Sequence, residues 1–228
     1  MNNNFGNERE KTILDDPTLK LYGIPVGNAR RSPSMHWYYA NNQPRIDVYI
    51  NAEENSNDNL IRANLAGTRQ LDEFFNMFQE AIDSKEVDFA KIMEVKESFY
   101  IKAENRFDEP KLRSKLVCGR DKEGRVFIAL LSTKESVAKV LFYFKNSDKH
   151  SFYKRGDKPN ELETSTIAAQ GWLDSIKRAY AYVIPTAYKH KEKQQNKNGG
   201  GRGNNNQSNN RDYYKEDEDT GDSDGLPF

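Results

Sequence analysis

Arg45 and Tyr49 stand opposite Ile46, Val48 and Ile50 in a short alternating segment. Over residues 45–51 the even positions are apolar, the period of a half-buried strand, so the odd positions face away from the core. The same pairing of ring and cation on a non-core face recurs elsewhere. Tyr100 neighbours Lys102, Tyr143 lies between Lys139 and Lys145, and Arg113 and Lys115 alternate with Leu116 and Cys118. Trp37, Tyr38 and Tyr39 add rings near the first strand, and Arg62 and Arg120 add guanidiniums. Tyr153, Lys154 and Arg155 interleave both types in a loop. Aromatic faces stack on unpaired bases, at roughly 1–3 kcal/mol per base, while Lys and Arg follow the phosphates. The chemistry implied is the holding of a single nucleic-acid strand. An outward Tyr beside a Lys is also ordinary on a solvated sheet. It is the recurrence in separate segments that carries the expectation.

Reactive chemistry has little support. Residues 119–125, Gly-Arg-Asp-Lys-Glu-Gly-Arg, have the outline of a phosphate-binding loop but place Arg where Lys is needed. No Ser or Thr follows, and a strand pattern stands where a helix should begin. His36, His150 and His190 are scattered and there is one cysteine, so no metal-ligand spacing is present. Cys118 falls in an apolar strand pattern and reads as core. The expectation is a non-enzyme without cofactor or metal.

The elements that must position these residues are short strands and two helices. Residues 1–30 hold Pro17, Gly23, Pro25 and Gly27 and few periodic apolar positions, and read as a loosely ordered arm. Strand patterns cover 45–51, 61–66, 99–103, 113–119, 125–131 and 139–145. Gly119, Asp121 and Gly124 supply a tight hairpin turn between two of them. Between 68 and 82 the period changes: Leu71, Phe74, Phe75, Phe78 and Ile82 form one helical stripe, with Thr68 as the expected N-cap. A second helix spans 171–188, with Trp172, Ile176, Ala179, Tyr180 and Val183 on one side and Pro185 at its expected end. The fold class expected is α+β, mainly β: an OB-fold-like barrel or curved antiparallel sheet with one to two packed helices over 31–188. From 189 to 211 the sequence becomes Lys, Gln, Asn and Gly, which bury too little apolar area to offset chain entropy, so a disordered linker is expected there.

Residues 212–228 form an acidic tail. They hold seven acids and one base, so the rest of this formally neutral chain carries 34 bases against 28 acids, a net of +6. A basic body favours a phosphate-backed partner, and a tethered polyanion is expected to compete for the same surface. The tail ends Asp222-Ser223-Asp224-Gly225-Leu226-Pro227-Phe228. Phe228 suits an apolar pocket on another protein while its carboxylate, Asp222 and Asp224 meet cations at the rim. Leu226 and Pro227 extend the apolar end.

This Gly/Asn/Gln-rich linker with its acidic Leu-Pro-Phe tip resembles the C-terminal segment of single-stranded DNA-binding proteins. The resemblance covers residues 189–228, and the long N-terminal arm points to a divergent, bacteriophage-type version. It implies a body that coats DNA strands exposed in replication or recombination and a tip that recruits polymerase, primase, helicase or nuclease. Three alternatives stay open: an adaptor without DNA binding of its own, an RNA-binding regulator, with Arg202 among glycines 199–203 as its faint signal, and a nuclease or other enzyme. The lack of a membrane span, a signal segment or paired cysteines gives cytoplasm, bacterial or phage-infected, as the expected compartment.

Overall fold

A computed structural model of the chain describes residues 11–25, 30–50, 59–145, 156–157 and 160–188. The chain divides into two units at His190, and every described residue lies in the first. That division falls beside the start of the expected linker. The linker, the acidic tail with Asp222, Asp224, Leu226, Pro227 and Phe228, and the loop positions Tyr153, Lys154 and Arg155 lie outside the described residues.

Two four-stranded antiparallel sheets and two helices enclose one main core, the α+β architecture expected and consistent with an OB-like barrel or curved sheet. Sheet A runs β1 (Leu21–Tyr22), β2 (Ser34–Ala40), β3 (Gln43–Tyr49), β4 (Leu60–Asn64). Sheet B runs β10 (Phe142–Tyr143), β9 (Val126–Ser132), β8 (Lys111–Arg120), β5 (Phe89–Glu97). β4 packs on β8 and β9, and β1 on β10, so the sheets approach each other along both sides of the core. At Gly23 a Cβ would lie 2.7 Å from Val140 Cγ1, so this approach leaves no room for a side chain. A small hairpin, β6 (Tyr100–Ile101) and β7 (Arg106–Phe107), projects between β5 and β8.

Helix α1 (Thr68–Asp83) buries Leu71, Phe74, Phe75, Phe78 and Ile82, the whole expected stripe. The expected cap differs. Gly67 holds the N-cap position and Thr68 is the first helical residue, while the Gln70 carboxamide accepts the Ala66 N–H at 2.8 Å. Helix α2 (Glu161–Ala187) starts ten residues before the expected 171, capped by Asn160 Oδ1, which accepts the Leu162 N–H at 3.0 Å. Its first turns bury Thr164 and Ser165, polar residues that a hydrophobic pattern passes over. Ser165 Oγ is used by the Val126 N–H at 2.9 Å. Pro185 stands inside the last turn instead of beyond it.

The N-terminal arm also departs from expectation. Leu14, Leu19 and Leu21 are buried in the main core, and the Trp172 indole N–H donates to the Leu19 carbonyl at 3.0 Å. Thr12 and Asp15 form a reciprocal capping box, and Asp16 caps the turn begun by Pro17. Pro17 opens the short 3-10 turn that carries Leu19 to the core. Among the described residues no helix is long and apolar enough to cross a membrane.

Candidate nucleic-acid interface

The outward face of sheet A is set by one hairpin. Asn41 and Asn42 connect β2 to β3 with φ of 54° and 61°, both left-handed. Two such residues twist the chain as a two-residue hairpin requires, and Asn tolerates them better than most side chains. This turn pairs Ala40 with Gln43 and so places Tyr38 opposite Arg45, Trp37 opposite Ile46 and His36 opposite Asp47. β3 then pairs Asp47 with Arg62 and Arg45 with Asn64, while β1 pairs Tyr22 with Ser34, itself opposite Tyr49. Side chains opposite one another share a face. Met35, Trp37, Tyr39, Ile46 and Val48 point into the core, and Tyr22, His36, Tyr38, Arg45, Asp47, Tyr49 and Arg62 lie on the other side.

These outward residues touch. The His36 ring stacks on Tyr38 at 6.1 Å and meets Tyr49 edge-on at 5.2 Å, giving a run of three rings. The Arg45 guanidinium lies 5.7 Å from the Tyr38 ring centre. Tyr22 is 59% exposed at the same face. Asp47 is 0% exposed although it is on the solvent side, because two arginines cover it. Arg45 donates from Nε to Oδ1 at 2.9 Å and from Nη2 to Oδ2; Arg62 donates from Nε to Oδ1 at 3.0 Å. That bonding to Asp47 raises the Arg45 pKa, so its charge is permanent.

His36 carries a pH signature. Partial burial, then the nearby Lys20 cation, hold its imidazole below the ordinary histidine range, against the opposing pull of Asp47 and Asp15. Ser34 Oγ lies 2.9 Å from Nε2 in a hydrogen bond whose direction follows the tautomer. A depressed folded-state pKa means that the unfolded chain binds the proton more readily, so stability falls as pH drops below about 6.5. A polyanion on this face reverses the preference by favouring the imidazolium. Affinity for a single strand is therefore expected to rise between pH 7 and pH 5, and His36→Gln to flatten that rise, as measured by fluorescence titration at fixed ionic strength.

The remaining sequence-derived positions are distributed differently. Arg45, Tyr49 and Arg62 share the sheet A face. Trp37, Tyr39 and Arg120 correct the sequence reading, because all three are buried. Trp37, 1% exposed, packs against Phe74, Phe75 and Trp172, so its ring is unavailable to a base. Burial raises the Tyr39 phenol pKa, in keeping with its place in the core. Arg120 serves the end of α1. It donates to the Ala81 carbonyl at 3.1 Å, Ile82 at 2.5 Å and Gly124 at 2.7 Å, and to Thr166 Oγ1 at 3.0 Å.

Tyr143 and Lys115 lie on the non-core face of sheet B, a different surface. Tyr143 packs edge-on against Phe127 at 6.1 Å beneath the Arg125 guanidinium, and Lys115 pairs with Glu94 at 3.7 Å. Lys139 and Lys145 are exposed on either side of β10. Tyr100, Lys102 and Arg113 belong to the projecting hairpin and its base. There Tyr100 meets Phe107 at 5.3 Å and Arg113 lies 4.4 Å from the Phe99 ring centre, with all three aromatic residues exposed. This hairpin springs from beside sheet A, since Asn64 donates to Glu97 Oε1 at 2.7 Å across the β4–β5 gap.

Sequence reasoning passed over Tyr22, His36 and Asp47, and it grouped Tyr38 with Trp37 and Tyr39 without telling their faces apart. The signal for Tyr38 was present. Reading Asn41-Asn42 as a two-residue turn pairs Tyr38 with Arg45 and sends Trp37 and Tyr39 inward. Cys118 is buried as expected, and burial pushes its thiol up to about 12, which leaves it unreactive at neutral pH. No family model, curated protein or solved structure matches the chain.

Proposed function

We propose that the chain binds single-stranded DNA along the outward face of sheet A. One observation supports this above the others: a continuous Tyr38–His36–Tyr49 ring run lies beside two arginines fixed on a shared carboxylate. Rings without a fixed sequence of donors stack on any base, and fixed cations meet the backbone, which suits binding with little sequence preference. Tyr22 extends the face at one end, and the Phe99–Phe107 hairpin stands beside the other. Structural duty alone does not call for three tyrosines and a histidine on the solvent side of one sheet.

The wider role follows from the tail. By its resemblance to single-stranded DNA-binding proteins, the chain protects strands exposed in replication or recombination. The acidic Leu-Pro-Phe tip recruits polymerase, primase, helicase or nuclease. The experiment is a titration of fluorescent oligo-dT with the full chain at graded salt, with oligo-rU and duplex DNA of equal length as competitors. Strong competition by oligo-rU alone moves the reading to RNA, and absence of binding moves it to a tail-borne adaptor.

A further inference from the structure

The carboxylate of Asp47 is out of place on a surface that attracts phosphates. It cancels one of the two arginine charges there and adds repulsion toward any polyanion. It is nonetheless fully buried, and both guanidiniums turn to it with the same edge, Nε and Nη2. A guanidinium is planar, with five N–H donors in a fixed fork. An arginine held through its Nε–Nη2 edge keeps its outer edge, at Nη1, available. Among the described residues no acceptor meets Nη1 of Arg45 or Arg62, and the two side chains are 27% and 42% exposed.

Building on the proposed single-strand face, we infer that Asp47 is a positioning residue. It makes Arg45 and Arg62 a preset fork for one internucleotide phosphate. Tyr38 and Tyr49 flank that point, Tyr38 by its contact with Arg45 and Tyr49 through the His36 ring, so the bases on either side of the phosphate meet rings. The energetic logic is preorganisation. A free arginine side chain carries rotamer entropy that is lost on clamping a phosphate. Asp47 removes that freedom from both arginines before the strand arrives, at the expense of one unit of net charge.

Two substitutions separate positioning from bulk charge, because they alter the two in opposite ways. Arg45→Lys with Arg62→Lys keeps every charge and leaves Asp47 paired, but removes the planar fork. Asp47→Asn makes the face more positive and frees both arginines. Positioning predicts that each weakens oligo-dT binding, by about tenfold for the lysine pair and about fivefold for Asp47→Asn. It also predicts that the lysine pair lowers the magnitude of the log–log salt slope by about 0.7, one phosphate's worth on a single strand. Lysine-pair binding with unchanged affinity and slope overturns the inference. So does a folded Asp47→Asn chain that binds more tightly than the unmodified one. Thermal melts by circular dichroism establish folding; if Asp47→Asn does not fold, the lysine pair decides alone. Failure of the unmodified chain to bind oligo-dT defeats the single-strand reading itself, whereas tight binding unaffected by the substitutions defeats only the fork.

Discussion

Replacing Tyr38 and Tyr49 together by alanine lowers affinity for oligo-dT by about 30-fold or more at fixed salt. Each base stacked on a ring contributes roughly 1–3 kcal/mol, so two lost stacks amount to about 2–6 kcal/mol. Each 1.4 kcal/mol is a factor of about ten. Both side chains lie on the solvent side of sheet A, so the core does not depend on them. No cation is removed, and the slope of log affinity against log salt stays where it was. That combination, a large loss at constant slope, separates stacking from charge. A folded double variant that binds as tightly as the unmodified chain removes the rings from the interface. Trp37 supplies the contrast. It sits one position from Tyr38 on the core side, and Trp37→Ala is destabilising by about 3–5 kcal/mol, as for other large core truncations.

Arg120→Met is expected to destabilise the body by about 3–5 kcal/mol without touching the interface. Arg120 is buried, and its guanidinium joins four places: two carbonyls at the end of α1, the β8–β9 turn and α2. The last carbonyls of a helix lack partners within it and carry the negative end of its dipole, so a cation there is favourable. Methionine restores much of the volume and none of the donors. Three backbone oxygens then lose this donor, at roughly 1–3 kcal/mol each before relaxation, while the Thr166 hydroxyl keeps its bond to the Leu162 carbonyl. For a body of this size each kcal/mol shifts the melting temperature by about 2–4 °C, so a drop of about 6–20 °C is expected by calorimetry. Oligo-dT affinity measured well below the melting point stays unchanged. A loss of affinity with full stability would place Arg120 on the binding surface, where the sequence reading first put it.

The two outcomes turn on how periodic patterns translate into faces. The α1 stripe was legible because five apolar residues recur at three and four with polar residues between them. The alternation over 45–51 likewise placed Arg45 and Tyr49 outward. In β2 every position from His36 to Tyr39 is aromatic or imidazole, so hydrophobicity carries no parity there. Only the hairpin register decides that Tyr38 faces out. Strand β5 escaped notice because it is an edge strand with Val95 its sole fully buried residue and a register shift between Val95 and Lys96. Arg120 misled because charge suggested surface, and nothing local in sequence announces that a helix end 38 residues upstream needs a donor. The N-terminal arm misled for a related reason: its breakers signalled looseness, while its three buried leucines find partners far along the chain, on β2 and α2.

The face of sheet A is tested most directly by fluorescent oligo-dT titrated with the full chain at several salt concentrations, with duplex DNA as competitor. The account predicts tight binding at low salt and a log–log slope of about −1.4, equivalent to two phosphates, one met by the Arg45–Arg62 fork and one by Lys20, whose cation lies near His36. It further predicts weak competition by duplex, whose bases are not free to stack on Tyr38 and Tyr49. Binding that is absent, indifferent to salt, or equally strong for duplex contradicts it.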